Sequence, residues 1–359
     1  MERFPVTLIR RQAAAVLRAW GMPEPTAVRT AAIMVDADLR GIDSHGISML
    51  PGYASKLAAG GLRIDAASEV VHDDGRAVAV MDARAGLGHV VAEQAMDLAS
   101  DRARAFGVGM AVVRNSHHFG AAGYYARRAA EQGLIGIVTT SAATMTQAPT
   151  GGVERRLGTN PLAFAAPSAT GAPFVLDMST TVVAVNKVKT YALAGARLPA
   201  DWVADDTGQP VHDSAEALNL LRHSASGGLV PLGGPTTLTA GHKGYGLAMM
   251  VQILSCGLSG AGLPGGRSPD DVGHMTLAID PTAFGTAVDT PGYVADLADL
   301  MRAATPLDPS TAVMVAGEPE ERARGERLRA GIGLPATLLG QLREICDAHG
   351  APYLLGEDA

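Results

Sequence analysis

The stretch AVAVMDARAGLGHVVAEQAMDLASDRARAFGVGMAVVRNSHHFGAAGYYARRAAEQGLIGIVTTS, residues 77–141, alternates two kinds of pattern. AVAVMDA (77–83), VGMAVVRN (108–115) and LIGIVTTS (134–141) are short apolar runs punctuated by glycine and asparagine, as strands are. Between them, VVAEQAMDLASDRARAFG (90–107) and AAGYYARRAAEQG (121–133) carry apolar residues at helical spacing. The alternation predicts an α/β region. It also places His117 and His118 in the turn between a strand ending at Asn115 and a helix with a glycine- and alanine-rich first turn. Such a turn directs side chains and free N–H groups into one space, although a histidine there can equally serve only to cap the turn.

Working outward, PLAFAAP (161–167), PFVLDMS (173–179) and HMTLAID (274–280) read as further strands. The N-terminal PVTLIRRQAAAVLRAWG and EPTAVRTAAIMVDADLRG read as helices stopping at Gly21 and Gly41. Late in the chain, PEERARGERLRAG (319–331) and PATLLGQLREICDAHG (335–350) are helical by charge pairing and periodicity. The chain thus divides into a helical segment 1–70, a mixed segment 71–305 and a helical return 306–359, with the two ends packing as one lobe. HKGYGLAMMVQILSCGLSGA (242–261) predicts a long helix; its apolar part, Leu247 to Ala261, falls short of the roughly 20 residues that cross a bilayer and reads as a buried core helix.

At 359 residues, 47% of them hydrophobic, the chain can bury a large interior, and its 43 glycines and 21 prolines suit a globular enzyme. A net charge of −7 with no basic stripe argues against a nucleic-acid partner. Cys256 and Cys346 lack metal-ligand spacing and fit a reducing cytoplasm, and the N-terminus lacks the continuous apolar core of a signal peptide.

The chemistry concentrates in a few segments. DLRGIDSHGISMLPGY (38–53) sets the acids Asp36 and Asp38 close to Ser44-His45-Gly46, several proton-moving groups on one accessible loop. GGVERRLGTNPLAFAAP (151–167) is a turn before a strand, or a loop whose amides and Thr159 hydroxyl contact an anionic cofactor. In FVLDMSTTVVAVNKV (174–188), Asp177 ends an apolar run and is followed by hydroxyls that could simply cap a helix. Lys243, at the head of its helix, opposes the helix dipole and suggests an anion there, a solvated lysine being the plainer reading. GAGLPG (260–265) matches the dinucleotide fingerprint in letters only, because it follows a helix and contains Pro264.

Six blocks in order, DLRGIDSHG, NSHHFGAAGYYA, GTNPLAFAAP, LDMSTT, GHKGYGLAMM and GEPEERARGERLRAGI, resemble the malate/L-lactate dehydrogenase type-2 family over nearly the whole chain. That group also holds sulfolactate and ureidoglycolate dehydrogenases, diketogulonate reductase and piperideine-2-carboxylate reductase. The resemblance implies a non-Rossmann nicotinamide-binding domain on a mostly antiparallel sheet, a helical domain made from both chain ends, NAD or NADP as cofactor, and a homodimer. It makes His45 the proton donor and acceptor, with Ser44 bonding the substrate oxygen and His118 a second acid–base candidate. Cofactor contacts would fall on Ser141, Gly158, Thr159, Asn160, Asp177, Met178, Ser179, Lys243, Gly244, Gly317 and Glu318.

One position departs from the pattern. The family continues SHG-x-x-R with an arginine for the substrate carboxylate, and here that residue is Met49. Methionine offers only dispersion and a weak acceptor in place of a bidentate clamp. Arg114, Arg155 or Arg156 would have to substitute, or the substrate is less anionic there; Met49, Arg155 and His117 are the candidate substrate-side residues. Two other readings remain open at this stage: a zinc hydrolase using His45, His117, His118 and Asp177, and a catalytically silent nicotinamide-binding protein.

Overall fold

In chain order the elements are β1 (Glu2–Phe4), α1 (Val6–Ala19), α2 (Glu24–Leu39), α3 (Leu50–Ala58), β2 (Glu69–Asp73), β3 (Val78–Gly86), α4 (Gly88–Phe106), β4 (Val108–Ser116), α5 (Ala122–Ala130), β5 (Ile135–Thr140), β6 (Leu162–Ala166) and β7 (Phe174–Met178). There follow α6 (Val185–Leu193), β8 (Val203–Ala204), α7 (Ser214–His223), β9 (Gly228–Leu229), α8 (Gly241–Gln252), β10 (Val272–Ile279), α9 (Thr290–Arg302), α10 (Glu318–Ala330), β11 (Ile332–Leu334) and α11 (Ala336–His349). The computed structural model describes residues 1–266, 271–285 and 289–356.

Seven strands form one mixed sheet in the order β2-β3-β4-β10-β5-β6-β7. Only β3 and β4 run parallel, joined by the α4 crossover; every other neighbouring pair is antiparallel. β10 inserts between β4 and β5, so its side chains are mostly buried: Met275, Leu277 and Ala278 are apolar, and the buried polar His274 and Thr276 are hydrogen-bonded. Helices α4 and α5 pack on the sheet through Ala92, Ala99, Ala126 and Ala129, side chains small enough to let backbones approach.

The two chain ends share a second core. β1 pairs antiparallel with β11, and Ile9, Leu17, Met34, Leu50 and Tyr53 bury with Ile332, Leu342 and Ile345. Gln12 is fully buried there and its amide binds the chain near the C-terminus, donating to the Pro352 carbonyl at 3.1 Å and accepting from Leu354 N–H at 2.5 Å.

Two features differ from expectation. A small cluster of Val188, Leu198, Trp202, Val211, Leu221 and Leu229, built on α6, α7 and the β8–β9 pair, has no counterpart in the sequence reading. Its strands are two residues long, too short to show a period. The segment Leu247–Ala261 is not a buried core helix: Met249, Met250, Ile253 and Leu258 are exposed while Ala248, Val251 and Cys256 face inward. Apolar composition without a polar face had suggested burial all round. Among the described residues no helix is long and apolar enough to cross a membrane.

Candidate active site

The Ser44–His45 loop leaves the end of α2 and is pinned from below. Asp38, 2% exposed in the last turn of α2, accepts the Ile47 N–H at 2.9 Å. Its other oxygen fills the space beside Gly46, where a Cβ would come within 1.8 Å of Oδ1. Burial raises the Asp38 carboxyl to about 8, against the Ile47 hydrogen bond that favours the anion. From the far side Asn186 Nδ2 donates to the Ser44 carbonyl at 3.1 Å, which ties α6 to the loop.

Ser44 Oγ lies 2.7 Å from His45 Nδ1. The His45 ring stacks on His118, centroids 5.4 Å apart at 30°. His118 comes from the turn between β4 and α5, and its Nδ1 lies 2.6 Å from the Tyr53 hydroxyl on α3. Behind it, His89 at the head of α4 meets both Tyr53 and His118 edge-on, with neither ring nitrogen hydrogen-bonded among the described residues. Gly88 permits this packing, since a Cβ there would sit 2.5 Å from the His117 carbonyl oxygen and 2.8 Å from His274 Nε2. His274 is held by Thr140 at 2.7 Å and Ser116 at 2.8 Å.

Loss of hydration is the largest influence on these rings. It lowers His45 to about 4, His89 and His274 to about 3, and His118 well below its ordinary value, with the neighbouring imidazoles adding to the drop in His118. At neutral pH the group is uncharged, which leaves a lone pair on the His45 ring while burial lowers its affinity for a proton.

Of these residues Ser44 and His45 line a cleft of about 350 Å³, and His118, stacked on His45, lies behind that lining. Ser44, His45, Thr159, Asp177, Met178, Ser179 and Gly317 line it. Asp177 opens onto the cleft, and crowding by protein raises its carboxyl to about 6 while the Gly123 N–H, 2.7 Å from Oδ2, opposes the rise. One wall carries Asp36, which accepts from Arg40 Nε at 3.1 Å and from Arg127 Nη2 at 2.6 Å; Arg40 also pairs with Glu321. A second groove of about 470 Å³ continues past Pro173, Ala316 and Gly317, and Glu318 lines this one.

The other sequence candidates lie outside the cleft lining. Met49 packs against the core of the chain ends. Arg155 is buried and donates to the Leu221 carbonyl at 2.7 Å, Arg114 pairs with Asp82 at 3.1 Å, and Arg156 pairs with Glu154. His117 Nε2 lies 2.9 Å from the Gly61 carbonyl oxygen. Ser141 accepts the Gly273 N–H at 3.0 Å, and Asn160 donates to the Ala248 carbonyl at 3.0 Å. Gly158 is packed on Ala142 and Gly244 on Leu232, while Lys243 is exposed in the first turn of α8. Sequence reasoning missed Arg40, Arg127, Tyr53 and His89. Tyr53 alone left a signal, being four residues, one helical turn, beyond Met49.

The family model for malate/L-lactate dehydrogenase matches residues 4–343. The chain belongs to the malate/L-lactate dehydrogenase family. A malate dehydrogenase of Pyrococcus abyssi is 38% identical over 94% of this chain and 92% of its own. An L-sulfolactate dehydrogenase of Methanocaldococcus jannaschii is 36% identical over 93% of this chain and 94% of its own. Among solved structures, malate dehydrogenase from Entamoeba histolytica superposes with a TM-score of 0.92 at 30% identity, covering 98% of this chain and 99% of that one. As a member of the malate/L-lactate dehydrogenase family the protein is an oxidoreductase acting on CH–OH groups. The zinc-hydrolase reading finds no support: among the described residues no three His, Cys, Asp or Glu are grouped to hold a metal ion.

Proposed function

We propose that the protein transfers a hydride between NAD or NADP and a 2-hydroxy acid or 2-oxo acid, or a related hydroxy, carbonyl or imine compound, with His45 as acid–base catalyst. The observation that carries this reading is the neutral His45, oriented by Ser44 at 2.7 Å and open to the cleft that Asp177–Ser179 and Gly317 line. The residues present suit a nicotinamide dinucleotide. The cleft and the groove that continues it are elongated, and the cleft offers the Thr159 and Ser179 hydroxyls and the N-terminal turn of α5.

When bound, the nicotinamide accepts or supplies the hydride. In oxidation, His45 takes the hydroxyl proton as hydride leaves carbon, help commonly worth about 10²–10⁴-fold. Ser44 and His118 hold the substrate oxygen. In reduction His45 returns the proton to the oxygen or imine nitrogen. Asp177 to Ser179, Thr159 and Gly317 are the cofactor wall in this reading, with Ser141, Gly158, Asn160, Lys243, Gly244 and Glu318 supporting it from outside the cleft or along the adjoining groove.

The same reading takes 1–70 with 306–359 as a helical domain and 71–305 as the catalytic domain, in a cytoplasmic homodimer whose subunits bury the exposed face of Met249 and Met250 on α8 and Ile253 just beyond it. The test is the loss of reduced-nicotinamide absorbance, with NADH and NADPH in parallel, against 2-oxo acids, cyclic imino acids and uncharged α-dicarbonyls. Oxidation of one cofactor with a 2-oxo or imino acid is expected, and its abolition in His45→Ala. Turnover with no member of the panel and neither cofactor would sink the reading.

A further inference from the structure

The hydrogen bonds around His118 decide which of its nitrogens carries the proton. Its Nδ1 accepts from the Gly120 backbone N–H at 3.3 Å, and a backbone N–H can only donate. Nδ1 therefore has no proton of its own, and the Tyr53 hydroxyl, 2.6 Å away, must be the donor in that contact. Tyr53 is 2% exposed and burial pushes its phenol up, so it keeps its proton over the range in which enzymes work.

We infer that Tyr53 is a positioning residue that locks His118 as the Nε2–H tautomer, which makes His118 a hydrogen-bond donor to the substrate oxygen and leaves His45 as the base of the two histidines. A neutral ring in that form has its one lone pair committed to Tyr53 and Gly120. It can hold an oxygen, but it cannot take a proton through Nε2. His45 differs: Nδ1 meets only Ser44, whose hydroxyl can accept as well as donate, so its other nitrogen is free to act as base. Two stacked histidines thus acquire separate roles from their partners. His89, which faces both Tyr53 and His118 edge-on, closes the back of this arrangement and offers neither ring a hydrogen bond.

The inference rests on the proposed function for its kinetic consequence but not for its structural one, and the test separates them. In the full-length protein labelled with ¹⁵N-histidine, the His118 resonances, identified by their loss in His118→Gln, should report Nε2–H and unprotonated Nδ1 across neutral pH, without substrate. Tyr53→Phe keeps the ring volume, and there the Nδ1–H form should appear beside the first. Turnover of Tyr53→Phe should fall about 10–100-fold, as for other partners that orient a functional ring, with cofactor affinity unchanged. His118→Gln retains a donor amide and should keep more turnover than His45→Gln. An Nδ1–H ring in the unmodified protein overturns the inference, as does an unchanged His118 spectrum in Tyr53→Phe. The expected tautomers with no turnover on any substrate would remove the proposed function and leave Tyr53's hold on the ring standing.

Discussion

The Asp38 carboxyl occupies the space in which a side chain at Gly46 would have to sit, with Oδ1 1.8 Å from the position of a Cβ. Gly46→Ala therefore cannot be accommodated without moving the loop that carries His45. Overpacking of this kind costs about 1–3 kcal/mol, which a chain of this size survives. Misplacing a reacting group by an ångström can cost about 10²-fold in rate. The expected outcome is a folded variant with a modestly lower Tm and turnover reduced by about that factor. Turnover near that of the unmodified protein would mean that the loop geometry is not set by this contact.

If His45 is the acid–base catalyst as proposed, its depressed pKa gives the two reaction directions opposite pH behaviour. Oxidation needs the neutral ring, which is already dominant above about 4, so kcat/KM for oxidation should show no histidine limb between about pH 6 and 8. Reduction needs the protonated ring, whose population falls as pH rises above that value, so kcat/KM for reduction should drop about tenfold per pH unit across the same range. Initial rates in both directions at a series of pH values check this. A reductive rate independent of pH would show that the proton comes from another group.

Met49 stands where the resemblance implies a carboxylate-binding arginine, and here its side chain is half-buried against the core of the chain ends. Met49→Arg restores a charge-assisted donor, an interaction commonly worth about 1.5–3 kcal/mol, or roughly 10–100-fold. The gain is expected in kcat/KM for substrates bearing a carboxylate beside the reacting carbon and not for their amides. Equal change for both would place Met49 away from the substrate.

Much of the fold was legible because its elements are long. Helices α1, α2, α4, α5, α10 and α11 run nine residues or more with clear stops, and the sheet strands β3 to β7 show apolar runs between punctuation. What could not be read was pairing. Nothing local to β10 says that it lies between β4 and β5, since its partners are more than a hundred residues upstream. The cluster around Trp202 was hidden by the shortness of its strands, and the exposed face of α8 by the absence of charge on it. At the cleft, Ser44 and His45 stand out in the sequence by motif, and the structure places both in the lining. The Tyr53–His118 bond and the Asp36–Arg40–Arg127 wall join segments far apart in sequence, and only the folded chain brings them together.

The β1–β11 pairing bears on how the molecule is made. Arg3 donates to the Gly331 carbonyl at 3.0 Å across 328 residues of chain, and the buried Gln12 amide finds its partners at Cys346, Pro352 and Leu354. An N-terminal segment leaving the ribosome therefore meets neither its strand partner nor its polar partners until the far end of the polypeptide has emerged. Contacts of such long sequence separation form slowly. The core on which the Ser44–His45 loop rests can therefore be completed only after residue 354 has emerged.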